Sequence, residues 1–410
     1  MADFQQKLEN YAALAVKVGV NIQPGQTLVV TAPLSTAPYV RLVARKAYEA
    51  GAKNVHVEWN DDDMTRIKYE LAPDDAFKEY PQFRARGWEQ FAENNAAFLS
   101  VVASNPDLLR GIDPERISNA TKAAGQALST WRSYIMSDKV SWSIVAVPSP
   151  AWAEKVFPDL EPERQMDALW DAIFEATRMN LADPVKAWKE HLQTLDSKAA
   201  QLNERRYKRL HYRGEGTDLI VALHPKHIWI SGGSVNAQGT SFVANMPTEE
   251  VFTAPLKTGT NGTVRSTKPL SYAGTLIRDF SLTIEDGRIV RVEAAEGQEV
   301  LQRLVDTDEG SAFLGEVALV PHRSPISDTN IVFFNTLFDE NASSHFAIGK
   351  GYAFCLEGGK EASQEELIAS GLNDSITHVD FMIGGADTDI DGEREDGTIE
   401  PVFRSGNWAF

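Results

Sequence analysis

The pattern of apolar residues changes near residue 208, and this change most constrains how the 410-residue chain can fold. Before it, short apolar runs alternate with helical patterns. A strand is predicted at residues 27–31, after the turn Pro24-Gly25, and a helix from about residue 38 to 49. Further strands are predicted at residues 55–59, 98–103 and 140–147. Strands separated by helices predict a mainly parallel sheet covered on both faces, so we expect an α/β domain over residues 1–207.

The turn after the first predicted strand bears on cofactor binding. It has the sequence Ala-Pro-Leu-Ser at residues 32–35 and lacks the glycines that let a backbone approach phosphates closely. A dinucleotide fingerprint and a P-loop are therefore both excluded there, and no cofactor is expected in the first domain.

A long helix with an apolar stripe is predicted at the end of the first domain. Asp183 is placed as its N-cap and Pro184 at its first helical position. Apolar residues then recur at alternating spacings of four and three, at Trp188, Leu192, Leu195, Ala199 and Leu202. Such a stripe packs either on its own domain or in a two-helix seam between subunits. The domain boundary is expected just after this helix, between residues 207 and 208.

From residue 208 onward, short alternating strands with turn residues replace the helical patterns. Strands are predicted at residues 219–223 and 227–230. The pair Asp286-Gly287 lies among the alternating apolar residues of 282–292, which indicates a two-residue hairpin. We therefore expect a mainly antiparallel β (α+β) catalytic domain over residues 208–410. The acidic tract at residues 387–392 lacks the glutamate that a calcium-binding loop needs at its twelfth position, so it is predicted to be an exposed loop.

Charge and cysteine content exclude several classes of partner. The net charge of −18, most of it in the second half, argues against nucleic acid. This acidity fits either a solubilising surface or a site that attracts divalent cations and a positively charged substrate group. No basic stretch precedes an apolar run at the start of the chain, and no long apolar segment occurs, so neither secretion nor a membrane span is expected. The single cysteine, Cys355, excludes an internal disulfide and a cysteine-based zinc site and favours the cytoplasm.

Residue types that bind metal ions are spread over the second half. His378 and Asp380 lie two apart in a predicted strand, so both side chains leave the same face. Glu316 lies in the apolar run 315–320, where a charge is unfavourable unless it is paired or bound to an ion. Glu249 and Glu250 are adjacent, and in extended backbone only one of them can face the ions.

Two more candidate ligands, Glu340 and His345, precede a tyrosine that could reach a bound substrate. This tyrosine, Tyr352, follows Gly349 and Gly351, which allow close backbone approach. Six oxygen and imidazole ligands suit two adjacent divalent ions with water in the remaining positions, which predicts a metallohydrolase. Other two-metal hydrolases, acting on amides or phosphate esters, share this ligand chemistry, and so does a non-catalytic, metal-stabilised peptide-binding protein.

Four strings, in the same order along the chain, resemble those of the aminopeptidase T / aminopeptidase S (PepS) family of dinuclear metallo-aminopeptidases. They are MPTEEVFT at residues 246–253, GEV at 315–317, NASSHFA at 341–347 and HVD at 378–380. The resemblance spans essentially the whole chain, including the opening helix. It implies a metal-dependent aminopeptidase that hydrolyses the N-terminal residue from peptides with a free N-terminus, using a water activated by two metal ions.

The resemblance also implies roles for individual residues. Glu250, rather than Glu249, is then the ligand of its pair. The implied metal ligands are Glu250, Glu316, Glu340, His345, His378 and Asp380. Glu316 is expected to bridge the ions or orient the nucleophilic water, and Tyr352 to donate a hydrogen bond to the tetrahedral oxyanion. Two divalent ions per chain (zinc, cobalt, magnesium or manganese) and a homodimer are implied as well.

Overall fold

The computed structural model describes residues 2–103, 105 and 107–410. The chain forms two compact units: the first contains the residues up to Glu190 together with Gly233–Pro247, and the second contains His191–Gly232 and Thr248–Phe410. The division falls inside the helix Pro184–Arg205. The domain boundary after residue 207 stays a prediction. The two units divide between Glu190 and His191, and Gly233–Pro247, which was expected in the second domain, groups with the first unit.

The first unit contains a five-stranded parallel sheet, which confirms the α/β prediction for the first half. In spatial order its strands are Asn245–Met246, Trp142–Ala146, Ala97–Val102, Thr27–Pro33 and Asn54–Asn60. The four strands predicted in the first half are present, with ends shifted by one or two residues. Leu28 and Val30 of the interior strand Thr27–Pro33 are fully buried, as expected where a parallel sheet is covered by other elements. A short antiparallel pair, Gly233–Val235 and Ser241–Val243, belongs to the same unit.

The helices of the first unit begin at residues that favour helix starts. Pro114 and Pro150 occupy early helical positions, and the side chains of Asp113 and Ser149 accept hydrogen bonds from the first turn. The α-helices are Ala2–Leu14, Ala37–Glu49, Asp62–Leu71, Gln82–Glu93, Pro114–Ala127, Ser129–Met136, Pro150–Val156 and Pro162–Ala176. Single turns of other helix types occur at Ala15–Gly19, Leu34–Thr36 and Asp74–Phe77.

The helix Pro184–Arg205 has the N-cap expected for it. Asp183 Oδ1 accepts a hydrogen bond of 3.0 Å from the backbone N–H of Lys186. Leu195, Ala199 and Leu202 are buried in the hydrophobic core of the second unit. This part of the apolar stripe therefore packs within the second unit, whereas the sequence placed the whole helix in the first domain.

The second unit is built from two mainly antiparallel sheets, as predicted for the second half. The larger sheet has nine strands: Arg209–Gly214, Thr217–Leu223, Pro255–Arg265, Leu270–Tyr272, Thr275–Glu285, Arg288–Glu296, Asp389–Glu393, Ile399–Arg404 and Asn407–Trp408. The five-stranded antiparallel sheet has the spatial order His378–Met382, His345–Gly349, Leu314–Leu319, Val251–Thr253 and Ile230–Ser231. Besides the end of the helix Pro184–Arg205, the α-helices of the second unit are Gln298–Val305, Thr336–Asp339 and Gln364–Ser370. Single 3-10 turns occur at Gly310–Ala312, Ser327–Thr329, Glu340–Ala342 and Ala353–Cys355.

The predicted hairpin around Asp286-Gly287 is confirmed. It joins the strands Thr275–Glu285 and Arg288–Glu296. Asp286 and Gly287 both have positive φ, 47° and 82°, as a type I′ turn requires.

Two local predictions were wrong. A strand was expected at residues 227–230, but only Ile230 is in one. His227 forms an isolated bridge with Leu356, and the pairing does not continue because the backbone N–H of Trp229 bonds to the Asn203 side chain. The acidic tract at residues 387–392 was expected to be an exposed loop, yet Asp389–Glu393 is a paired strand. Its Asp391 is buried because Arg213 and Arg404 pair with the carboxylate.

In the part of the chain that the structure describes, no helix is both long enough and apolar enough to cross a membrane.

Candidate metal centre

The five-stranded antiparallel sheet brings the predicted ligands to one face. In the strand His378–Met382, Val379 and Phe381 pack on the hydrophobic core, so His378 and Asp380 leave the opposite face. Across the neighbouring strand, Ala347 lies opposite Asp380 on one side and opposite Glu316 on the other. The small Ala347 side chain between two carboxylates leaves space above this row.

A β-bulge at Gly315 turns Glu316 onto this face. Leu314 pairs with Ile348 and both lie in the core, but Glu316 pairs with Ala347, so the register shifts between the two residues. Without the extra residue, Glu316 would share the core face of Leu314. A Cβ at Gly315 would lie 2.3 Å from the carbonyl oxygen of Gly349, so only glycine fits this close approach.

The adjacent glutamates take different partners, as their spacing requires. Glu250 Oε2 lies 3.2 Å from His345 Nε2. Glu249 Oε2 lies 3.4 Å from His191 Nε2, and its backbone N–H donates a 2.8 Å hydrogen bond to Asn341 Oδ1. Glu250 is therefore the member of the pair that lies with the other candidate ligands.

The donor atoms form two groups that share one carboxylate. Glu250, Glu316 and His345 form the first group, and Glu316, His378 and Asp380 form the second, with the donor atoms of each group within 4.8 Å of one another. Glu316 Oε1 lies 3.5 Å from His345 Nε2, and Glu316 Oε2 lies 3.7 Å from His378 Nε2. The two oxygens of one side chain thus face two different imidazoles.

Both imidazoles are oriented by backbone carbonyls. His345 Nδ1 lies 3.0 Å from the carbonyl oxygen of Ser343, and His378 Nδ1 lies 2.8 Å from that of Lys350. Since a carbonyl oxygen can only accept, each Nδ1 carries the proton and donates. Each Nε2 then faces the carboxylates, in the orientation that metal-binding histidines use.

The buried carboxylates of the two donor groups would be stabilised by added positive charge, as the shifts of their pKa values and those of the neighbouring imidazoles indicate. Burial raises the pKa of Glu316 above its usual value. Burial alone would lower the pKa of His378, but the Asp380 and Glu316 carboxylates raise it to about 9. Burial opposes the charge on His345 as well, yet hydrogen bonds to Glu250 and Glu316 hold the pKa of His345 well above its usual value. Without a metal ion, protons therefore compensate the buried carboxylates.

A divalent cation fits this donor set. Asp380 Oδ1 is buried and has no hydrogen-bond partner of normal length, although His378 Nε2 lies 3.4 Å away. A buried carboxylate oxygen without a hydrogen bond is unfavourable unless an ion occupies the space beside it. The mixture of carboxylate oxygens and imidazole nitrogens suits zinc and other first-row divalent ions.

Glu340 lies near the two donor groups but, among the described residues, belongs to neither. Burial, together with the Asp380 and Glu250 carboxylates, raises the pKa of Glu340 well above its usual value. Glu340 and Asp380 both line one cleft of the second unit. Direct metal binding by Glu340 remains a prediction.

Tyr352 lies against the second donor group. Its ring centroid is 4.6 Å from that of His378 and 5.0 Å from that of the stacked Phe354. Burial, with the nearby Glu316 and Asp380 carboxylates, raises the pKa of Tyr352 far above its usual value. The hydroxyl therefore keeps its proton and can donate a hydrogen bond.

A family model described as thermophilic metalloprotease (M29) matches residues 4–408. The chain belongs to this metalloprotease family. It is 59% identical over 410 residues to aminopeptidase AmpS of Bacillus subtilis (strain 168), with 100% of both chains covered. It is 43% identical over 409 residues to aminopeptidase T of Thermus thermophilus, again with 100% of both chains covered. The solved structure of wild-type AmpT from Thermus thermophilus matches with a TM-score of 0.93 at 42% identity, covering 99% of this chain and 100% of that chain.

Sequence reasoning missed one residue that connects the candidate ligands of this metalloprotease. Asn341 Oδ1 accepts from the Glu249 N–H, while its Nδ2 donates to the carbonyl oxygen of Leu337 and lies 3.4 Å from Glu340 Oε1. One fully buried amide thus joins the segments that carry Glu250 and Glu340. The string NASSHFA contains Asn341, but nothing local in that string indicates a partner about 90 residues earlier.

Proposed function

We propose that this protein is a metal-dependent aminopeptidase that hydrolyses the N-terminal residue from peptides with a free N-terminus. The observation that carries the proposal is the pair of donor groups that share Glu316 on one face of a sheet. Membership of a metalloprotease family and relatives named as aminopeptidases support the same reaction class.

The proposed ligands are Glu250, Glu316, Glu340, His345, His378 and Asp380, and they are proposed to hold two divalent ions. Bound divalent ions supply a water of lowered pKa and an electrophile for the scissile carbonyl. Zinc, cobalt, magnesium and manganese all accept such oxygen and nitrogen donors, so availability decides which is used.

The protein's own side chains complete the proposed chemistry. Glu316, whose two oxygens face both histidines, orients the attacking water by accepting its hydrogen bond. Tyr352 keeps its phenolic proton and donates it in a hydrogen bond to the oxyanion that develops on the substrate carbonyl. The acidic surroundings formed by Glu250, Glu340 and Asp380 favour a substrate that brings an amino group rather than a blocked N-terminus.

The test compares free and blocked peptides on one preparation. The protein is stripped with a chelator, restored separately with zinc, cobalt, magnesium or manganese, and incubated with a peptide and its N-acetylated form. We expect metal-dependent release of the first residue from the free peptide and no release from the acetylated one. Equal cleavage of both peptides would show that the exopeptidase assignment is wrong.

We also propose that the protein is a cytoplasmic homodimer. The helix Asp62–Leu71 exposes Met64, Ile67 and Leu71, which are spaced to lie on one helix face, and Met64 and Leu71 are 65% and 78% exposed. An apolar stripe left in solvent on one helix face is suited to contact with a second copy. Light scattering should give twice the chain mass for the natural protein and a smaller mass for Leu71→Glu. The single, buried Cys355 is in keeping with a reducing compartment.

A further inference from the structure

The backbone turn at residues 349–351 orients the second donor group. The carbonyl oxygen of Lys350 accepts a 2.8 Å hydrogen bond from His378 Nδ1, and Tyr352 follows the turn directly. The hydrogen-bond partner of a metal-binding imidazole fixes the direction of its other ring nitrogen. The geometry of this turn therefore determines where His378 Nε2 points.

The buried residue Asn373 holds the turn at two points. Its side-chain Nδ2 donates a 2.6 Å hydrogen bond to the carbonyl oxygen of Gly349, and its backbone carbonyl oxygen accepts a 2.9 Å hydrogen bond from the N–H of Gly351. These two partners lie on either side of Lys350. One residue thus fixes the backbone before and after the carbonyl group that His378 uses.

The same side-chain amide ties the turn to a third segment. Asn373 Nδ2 also donates a 2.8 Å hydrogen bond to the carbonyl oxygen of Gly310. Both partners of Nδ2 are carbonyl oxygens, which only accept, so the amide cannot take the reversed orientation. In the described part of the chain, Asn373 Oδ1 is buried and has no hydrogen-bond partner, which is unfavourable. The two donated bonds therefore set the orientation of this side chain.

The turn is also crowded by its other neighbours. Gly349 has a φ of 108°, which side chains other than that of glycine rarely adopt. A Cβ at Gly315 would lie 2.3 Å from the carbonyl oxygens of both Gly349 and Lys350. The N–H of Lys350 donates a 2.8 Å hydrogen bond to the carbonyl oxygen of Thr377, which directly precedes His378. A shift of the turn is therefore transmitted to the strand that carries His378.

The other imidazole depends on a different segment. His345 Nδ1 lies 3.0 Å from the carbonyl oxygen of Ser343, and Ser343 Oγ donates a 2.8 Å hydrogen bond to the carbonyl oxygen of Gly384. A change at Asn373 should therefore reach His378 and leave His345 in place. His345 is an internal reference within the same protein.

We propose that Asn373 is a positioning residue for the second donor group. Its amide fixes the turn 349–351, and thereby the Lys350 carbonyl that holds His378 in its metal-binding orientation. The inference rests on the proposed metal centre. Asn373 acts through His378 rather than by contact with the substrate or an ion.

The first measurement follows the imidazole N–H groups by ¹⁵N NMR in metal-free protein, with signals assigned from His378→Gln and His345→Gln. Asn373→Asp keeps the shape of the side chain but, when ionised, has no hydrogen to donate, and Asn373→Ala removes the amide without adding a charge. In both variants we expect the Nδ1–H of His378 to exchange with solvent about tenfold faster, which corresponds to the loss of about one hydrogen bond. Exchange at His345 should be unchanged.

The second measurement is the metal content at a fixed free zinc concentration. Loss of a residue that supports a ligand weakens metal binding about 10- to 100-fold, so both Asn373 variants should lose the ion of the second group and keep that of the first. The matched control is Gln165→Glu. Gln165 is a buried amide of the first unit, and its Nε2 donates to the carbonyl oxygens of Phe157 at 3.2 Å and Leu160 at 3.1 Å. This control should lower the Tm and retain the natural metal content.

Three results would overturn the inference. The first is natural exchange at His378 together with natural metal content in both Asn373 variants. The second is equal acceleration of exchange at His345 and His378, which would show a general loosening of the fold. The third is failure of both variants to fold, because Asn373 would then support the fold rather than the ligand.

Failure of the proposed function gives a different result. If the natural chain binds no zinc or cleaves no peptide, while the Asn373 variants still accelerate exchange at His378 alone, the proposed function is wrong and the positioning of His378 by Asn373 stands. If the natural chain binds zinc and cleaves peptides, and the variants match it in exchange and metal content, the function stands and the positioning role is rejected.

Discussion

Glu316 is the residue whose replacement most directly tests the shared arrangement of donor atoms. Its two oxygens serve both groups, whereas Glu250 belongs to the first group alone and His378 to the second alone. Glu316→Gln preserves the volume of the side chain and removes the charge. It should therefore weaken the binding of both ions, while Glu250→Gln and His378→Gln should each weaken the binding of one.

The expected magnitude follows from the number of donors lost. Loss of a residue that only supports a ligand weakens metal binding about 10- to 100-fold, and a direct ligand should matter at least as much. A 100-fold loss corresponds to about 2.8 kcal/mol of binding free energy. At a free metal concentration of about 100 times the natural Kd, one ion stabilises the folded chain by about 2.7 kcal/mol, and after such a loss by about 0.4 kcal/mol.

Two assays measure this effect. Metal per chain is determined by elemental analysis after dialysis at a fixed free metal concentration, and the Tm is recorded with metal and with chelator. We expect the largest loss of metal, and the smallest difference in Tm between the two conditions, for Glu316→Gln. Glu249→Gln is the control, because Glu249 faces His191 rather than the donor groups, and it should retain the natural metal content.

One result would refute the reasoning. If Glu316→Gln loses no more metal than Glu250→Gln, then Glu316 does not serve two ions and the two groups are not a paired centre. Equal losses for Glu249→Gln and Glu250→Gln would likewise contradict the assignment within that pair.

Three further predictions follow from individual positions. Gly315→Ala should destabilise the fold by about 1–3 kcal/mol in thermal melts, because its Cβ would lie 2.3 Å from backbone oxygens, and it should also reduce metal content. The control is Gly87→Ala, which lies in a helix with no atom near the added Cβ and should be neutral or stabilising in the same melts. Tyr352→Phe should lower kcat by roughly 10²-fold at unchanged metal content, and an unchanged kcat would remove Tyr352 from the reaction. For Asp308, burial favours a raised pKa, but hydrogen bonds from Ile376, Ser375 and Ser311 outweigh it and lower the pKa. A carboxyl whose pKa is lower in the folded state stabilises the fold at pH values above its unfolded-state pKa. The Tm of the natural chain should therefore exceed that of Asp308→Asn fully at neutral pH, and this difference should disappear as the pH falls through the lowered pKa of Asp308. A Tm difference independent of pH would contradict this.

Features set by neighbouring residues were predictable from the sequence. The Asp286-Gly287 hairpin depends on two residues that adopt positive φ, and the start of the helix Pro184–Arg205 depends on Asp183. The common face of His378 and Asp380 follows from the two-residue period of any strand. In each case the physical cause lies within a few residues of its effect.

Features set by distant partners were not predictable in the same way. Residues 227–230 have a strand-like composition, but the side chain of Asn203 accepts a hydrogen bond from the backbone N–H of Trp229, 26 residues later, which a strand partner would otherwise use. The tract 387–392 looks like a solvated loop until Arg213 and Arg404 neutralise Asp391. A charged side chain can be buried only when an oppositely charged partner lies beside it, and here sheet pairing brings that partner to Asp391.

Glu316 combines both kinds of information. A buried carboxylate in an apolar run is energetically unfavourable unless it is paired or bound to an ion, so the sequence alone identified Glu316 as a candidate ligand. Strict alternation from Leu314, however, would direct Glu316 into the core, away from His345 and His378. The side chain reaches the donor groups because the register shifts at Gly315, where backbone carbonyls of the adjoining strand end leave no room for a Cβ. The chemistry of Glu316 therefore identified it as a candidate ligand, whereas its position beside the histidines depends on Gly315. The role of Gly315 becomes apparent only when the strands are paired.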